Sequence, residues 1–230
     1  MKTFSALLAT LVLLLAAPVL KAQSTVGWGN SPFDTALLDS SGNIFDASYV
    51  FELGTFDNVG GFAPTALNTS EWAAHWKLLN SAVSPLDAFN HGWNVGFQVF
   101  SSEFTFNSNG TVAGLSGSST FTTNEQAYIW VYNPAGEWAL VTDSSIGGSP
   151  NDVWMLPNPN PAFPSAVNWV LDTADTAILG SLNGTYSGGG GPVDYRLQTV
   201  NVSVIPEPGS SLMVLLVGCL ARVIRSRRRA

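Results

Sequence analysis

Charge is partitioned along this chain more sharply than any other property, and that partition limits what the chain can fold into. Lys2 and Lys21 bracket an uncharged apolar run, while Arg222, Arg225, Arg227, Arg228 and Arg229 crowd the last nine residues. Between Gln23 and Ile205 only Lys77 and Arg196 stand against fifteen Asp and Glu, a formal −13 for a chain whose total is −7. A body this acidic repels phosphate backbones, which excludes nucleic acid as a partner. Its 183 residues suffice for one domain with a sizeable core. Cys219 is the one cysteine, so no intramolecular disulfide and no cysteine-based zinc site exists. It lies in an apolar run, where a thiol behaves as a small hydrophobe.

The two ends read as addresses. Met1-Lys-Thr, the uncharged Phe4–Ala17, Pro18 and the small Ala22 form a secretory signal peptide over 1–22, with cleavage expected between Ala22 and Gln23. Export by Sec-type machinery follows. At the other end, Gly209–Ala221 is uncharged. As a helix its thirteen residues reach about 20 Å, short of a hydrocarbon core of about 30 Å. Snorkelling by Arg222 and local thinning make it a marginal transmembrane anchor. The arginine cluster keeps that end cytoplasmic, so the acidic body lies on the exported side of the membrane.

Pro206-Glu207-Pro208, an apolar helix and the arginine cluster Arg222, Arg225, Arg227, Arg228 and Arg229, in that order, resemble the PEP-CTERM sorting signal of exported bacterial proteins. The resemblance covers 206–230. It implies recognition and cleavage by an exosortase, a Gram-negative-type bacterium and, often, an exopolysaccharide outside the cell. A second resemblance runs through the body. Phe51-Glu-Leu-Gly54 with Phe56, Phe62-Ala-Pro64, Asn68, Trp72-x-x-x-Trp76, Gln126–Asn133, Glu137–Asp143 and Trp154-x-Leu-Pro157 are similar to a pattern in uncharacterised PEP-CTERM proteins. It implies no activity.

Residues 23–205 read as one acidic, β-rich extracytoplasmic domain. Apolar runs are short, rich in Val, Phe, Tyr, Trp and Thr, and separated by frequent turn signals, which predicts an all-β fold, an antiparallel β-sandwich or jelly-roll-like domain. The clearest hairpin is Ala127–Tyr132 and Glu137–Thr142 joined by Asn133-Pro-Ala-Gly136, where Gly136 permits a positive φ. Glu103–Phe106 and Thr111–Leu115 flank the turn Asn107-Ser-Asn-Gly110. Along Asp194–Val204 the apolar parity switches, so a bulge or bend is expected near Thr199. Asn68 with Glu71 suggests a capping box, and Trp72, Trp76 and Leu79 repeat at helical spacing, predicting one short helix over about 69–79. Residues 158–164 and 188–192 read as loops.

Chemistry-bearing patterns are sparse. His75 and His91 form no zinc-binding pair, and no Gly-x-Ser-x-Gly elbow supports a Ser-His-Asp triad. Glu103, Glu125 and Glu137 fall at strand starts and turn edges, where solvated carboxylates are ordinary. Asp39–Asp46 and Asp172–Asp175 offer hard oxygen ligands for calcium, although neither has the alternating ligands of an EF-hand and both also read as plain turns. Eight tryptophans mostly serve a core, with Trp130 and Trp138 expected to face it. Trp93 and Trp154, beside turn signals, are the two to consider as sugar-stacking platforms. Four Asn-x-Ser/Thr matches, at Asn68, Asn109, Asn183 and Asn201, follow from abundance of these residues.

The expectation is therefore a non-enzymatic exported surface or matrix protein with no catalytic residues and no resident cofactor, calcium excepted as a candidate. Its partners would be exosortase, the export machinery, the inner membrane before processing and the exopolysaccharide. A carbohydrate-binding module is the alternative, and a secreted glycan hydrolase a more distant one.

Overall fold

A computed structural model describes residues 23–31, 35–87, 91–113, 115, 119–144, 153–158, 166–182, 186–188, 191–193 and 195–202. The signal run with Ala22 and the sorting tail from Pro206 onward, including its arginines, lie outside the described residues. Among those described, no helix is long and apolar enough to cross a membrane.

The chain is an all-β protein with one short helix. Its strands are β1 (Gln23–Gly29), β2 (Thr35–Leu38), β3 (Val50–Phe56), β4 (Trp76–Ala82), β5 (Gly92–Asn94), β6 (Val99–Asn107), β7 (Tyr128–Tyr132), β8 (Glu137–Thr142), β9 (Ala166–Val170), β10 (Thr176–Leu179), β11 (Ser181–Leu182), β12 (Tyr186–Gly188), β13 (Gly191–Val193), β14 (Tyr195–Gln198) and β15 (Val200–Asn201). The helix α1 (Trp72–His75) precedes β4. A four-stranded sheet runs β5-β6-β1-β9, and a larger sheet runs β10-β8-β7-β3-β4 with β15 also on β8. Smaller sheets are β11-β14-β2 and β12-β13. The pairs β1–β9 and β2–β14 are parallel, so the expected purely antiparallel arrangement is corrected to a mixed one.

Strand alternation builds the main core. In β6, Phe100, Ser102, Phe104 and Phe106 point inward, and in β1 Ser24, Val26 and Trp28 do the same. They meet Phe51 and Leu53 of β3, Ile129 and Val131 of β7, and Ala139 and Val141 of β8 in one cluster. Phe51 stacks on Phe100 at 4.1 Å, and the Trp28 indole N–H donates to Asn80 Oδ1 across the two layers at 3.1 Å.

The predicted 127–142 hairpin forms as β7 and β8. Asn133 Oδ1 accepts from the backbone N–H of Ala135 and Glu137, and Gly136 has φ 85°. The second hairpin is reduced to a single bridge between Phe106 and Val112. The bend expected near Thr199 is present: Tyr195–Gln198 joins β2, whereas Val200–Asn201 joins β8. Gly188 and Gly191, expected in a loop, pair in β12–β13, and 159–164 lie outside the described residues.

The expected helix over 69–79 is overturned for most of its length. A 3-10 turn, Thr69–Glu71, leads into four helical residues, and Trp76 is already extended at φ −73°, ψ 127°. From Trp76 onward the chain pairs with β3, so sheet hydrogen bonding overrides the helical spacing of the tryptophans. Asn68 does not cap the turn; its side-chain carbonyl accepts from the Thr65 backbone N–H and the Trp72 indole.

Gly54 positions Trp76. A Cβ there would lie 2.5 Å from Trp76 Cζ2 and 2.6 Å from the Lys77 carbonyl oxygen, so only glycine lets the indole lie on the β3 backbone. Gly54→Ala should cost about 1–3 kcal/mol through overpacking. Urea unfolding followed by tryptophan fluorescence measures it, and unchanged stability would mean the indole does not rest there.

Candidate functional site

Both parities of β7 are apolar. While Ile129 and Val131 enter the main core, Trp130 with half-buried Tyr128 and Tyr132 faces the outer side of the larger sheet. Half-buried Trp138 and buried Leu140 of β8 continue that outer layer, as does Leu179 of β10. Trp72 of α1 and Phe62 fold over it from the connection between β3 and β4. Trp130 is central: its ring lies 5.7 Å from Trp72, 5.4 Å from Trp76, 5.5 Å from Tyr132 and 5.1 Å from Trp138. Edge-to-face contacts predominate, the geometry favoured by ring quadrupoles. Trp130 and Trp138 therefore pack against the outer layer, which corrects the expectation that they face the sandwich interior.

One carboxylate sits in this aromatic layer. Glu52 of β3 lies opposite Trp130 in the strand register. Its Oε2 accepts from the Trp76 indole N–H at 2.8 Å, and its Oε1 from the Tyr132 hydroxyl at 2.8 Å. Burial, with the hydrogen bond to Glu52 and its charge, pushes the Tyr132 hydroxyl up to about 12. Tyr132 therefore stays protonated and donating at neutral pH. The Trp130 indole nitrogen is buried and unpartnered among the described residues.

The other carboxylates singled out in the sequence do different work. Glu125 is not solvated: Lys77 Nζ lies 2.7 Å from its Oε2, Thr55 donates to Oε2, and Thr122 donates its N–H and hydroxyl to Oε1. Burial alone would raise its pKa, but Lys77 and the threonines outweigh that and hold it below the usual carboxylate value. Glu137 is buried with neutral donors only, the Ser40 N–H and hydroxyl and the Thr199 hydroxyl, which outweigh burial and lower its pKa. Both correct the expectation of solvated groups; Glu103 is the exposed one.

The first calcium-candidate loop holds its carboxylates in local turns, whereas those of the second bond to distant parts of the chain. Asp39 accepts from the Ser41 and Asn43 N–H groups, and Asp46 from the Ser48 N–H. Asp172 accepts from the Thr35 hydroxyl, and Asp175 from the Ser144 N–H. Among the described residues no three His, Cys, Asp or Glu side chains gather to hold a metal ion.

The histidines sit apart in function. His75 Nδ1 lies 2.6 Å from Asp57 Oδ1, with Phe62 stacked on its ring at 3.9 Å, and the Asp57 N–H donates to the His75 carbonyl. This closes the base of the connection that covers the aromatic layer. The His91 N–H donates to Asp87.

Trp93 and Trp154 are overturned as sugar platforms, because both are fully buried. Trp93 donates to the Asp46 carbonyl at 2.9 Å. Of the tryptophans among the described residues, Trp76 and Trp138 on the outer layer are the half-buried ones. Sequence reasoning missed Glu52 and Trp76 as neighbours; the available signal was that β3, β7 and β8 are apolar at both parities. Two open cavities, about 330 and 290 Å³, share Phe121 and are lined by hydroxyl, amide and apolar side chains; Trp76 borders the smaller.

No family model, curated protein or solved structure matches this chain.

Removing the cation from Glu125 is a direct test of its lock. Lys77→Met should cost about 1.5–3 kcal/mol at pH 7, the range for hydrogen bonds to charged groups. Because the folded pKa of Glu125 is depressed, its stabilising contribution is complete above the unfolded value of about 4.3 and is lost as pH falls through the folded value. The deficit of the variant should therefore persist down to the unfolded value and shrink only as pH falls further, through the depressed folded value of the wild type, where Glu125 becomes protonated. Urea unfolding across pH 3–7 measures this, and a pH-independent deficit would assign the cost to lost packing.

Proposed function

We propose that this chain is an exported bacterial surface or matrix protein, non-enzymatic, that reaches its destination through a PEP-CTERM sorting signal. The observation carrying the reading is the order of its parts: the signal run 1–22, the acidic body, Pro206-Glu207-Pro208, the apolar stretch and the arginine cluster. In this reading Sec-type machinery exports the chain, with cleavage between Ala22 and Gln23. The apolar stretch, as a marginal helix, then holds the body outside the inner membrane. The Arg-rich stub stays cytoplasmic until exosortase removes the tail. The mature body carries close to −13 with two basic residues, a charge that favours solubility and resists self-association.

A second reading is favoured by the outer aromatic layer. Half-buried Trp76 and Trp138, with Tyr132 and Glu52 beside them, combine ring surface with polar groups, the pairing a glycan requires. Glycan binding in an extracellular polysaccharide is compatible with the sorting reading, and it replaces the buried Trp93 and Trp154 with rings that have surface.

Intact-mass measurement of the surface-exposed protein tests the sorting reading. The expected species starts at Gln23 and lacks the Arg-rich tail. Recovery of that tail on surface-exposed protein would overturn exosortase processing.

A further inference from the structure

Glu52 differs from the other buried or half-buried carboxylates described above. Glu125 is met by an ammonium and three further donors, and Glu137 by three donors to its two oxygens. Glu52 receives one neutral donor on each oxygen and no cation among the described residues. A carboxylate offers about four acceptor positions, so about two remain unfilled. The group is half-buried on a sheet face whose neighbours are aromatic rings. With acceptor positions unfilled, the carboxylate favours a positively charged donor. The body supplies none: Lys77 is committed to Glu125, and Arg196 forms no ion pair among the described residues.

We propose that the outer face of the larger sheet binds an amino sugar, with Glu52 accepting hydrogen bonds from its ammonium group while the half-buried Trp76 beside it contacts the ring. The inference rests on the glycan reading above and narrows it to one class. Charge complementarity selects the ammonium. The sugar follows from the rings beside the carboxylate, because a pyranose presents a flat C–H face to an aromatic ring and an alkylamine does not. The geometry is held ready: Gly54 lets the Trp76 indole lie flat, and its N–H fixes one carboxylate oxygen while Tyr132 fixes the other.

The test titrates the full chain in detergent with a glucosamine tetramer, an N-acetylglucosamine tetramer, a neutral glucose tetramer and a lysine tetramer, read by tryptophan fluorescence and calorimetry. The glucosamine tetramer should bind about tenfold or more tighter than its acetylated form, the factor that about 1.4 kcal/mol of charge-assisted bonding gives. Glu52→Gln should abolish that preference, with near-UV circular dichroism confirming that the aromatic layer is intact. Glu103→Gln, removing an exposed carboxylate on β6, should leave it unchanged. Equal losses in the two variants would show diffuse attraction to the acidic body and overturn the site. Equal binding of acetylated and free amines would overturn the role of Glu52 while leaving the glycan reading standing. A lysine tetramer binding as tightly as glucosamine would overturn the sugar, and absence of binding by every glycan would overturn both readings.

Discussion

In β3, β7 and β8, side chains on both sides of the strand need burial, and the rest of the architecture answers that demand. Phe51, Ile129, Val131, Ala139 and Val141 are covered by the four-stranded sheet. Trp130, Leu140 and the half-buried Phe56, Tyr128, Tyr132 and Trp138 are left on the outer side, in a cluster separate from the main core. The connection between β3 and β4 supplies the cover. It carries Phe62 and Trp72 over the sheet, and its ends are clamped by Asp57 and His75. Burying a large side chain of this kind contributes about 1.5–3 kcal/mol, so leaving the outer layer wet would cost a substantial fraction of a domain's net stability.

Scarcity of positive charge sets the second constraint. With two basic residues in the body, the buried carboxylates must be satisfied mostly by neutral donors. Ser40 and Thr199 do this for Glu137, Thr55 and Thr122 assist Lys77 at Glu125, and Trp76 and Tyr132 do it for Glu52. The first two arrangements knit separate parts of the chain together: Glu137 ties the β2 loop to the stretch between β14 and β15, and Glu125 ties β3 and β4 to the loop before β7. Hydrogen bonds to a charged group are stronger than neutral ones, which suits a chain with no disulfide.

Much of this was legible in the residues. The 127–142 hairpin and the bend at Thr199 follow from local turn chemistry and strand parity, which sequence carries directly. The helix over 69–79 fails because Trp72 and Trp76, at helical spacing, serve different elements: Trp72 ends up over Trp130 while Trp76 opens a strand beside Phe56. Spacing alone does not distinguish those outcomes, since the deciding partner is some twenty residues earlier. Trp93 and Trp154 neighbour turn signals, yet nearness to a turn says little about depth when the turn itself is packed. The parallel pairs were hidden for the same reason, because Ala166 and Thr25 share no local signal.

Glu52 is the place where these two constraints meet. Strand alternation puts it on the outer side, in register with Trp130, where an apolar residue would have completed the layer. A carboxylate there is costly unless bonded, and the donors that bond it come from rings already required for cover. Trp76 and Tyr132 thus serve packing and polarity at once. Replacing Glu52 by an aliphatic side chain would relieve the burial cost while leaving the indole N–H and the tyrosine hydroxyl to find other acceptors. The carboxylate and its donors consequently form a unit whose members justify one another, while its remaining acceptor positions are in excess of what the fold itself uses.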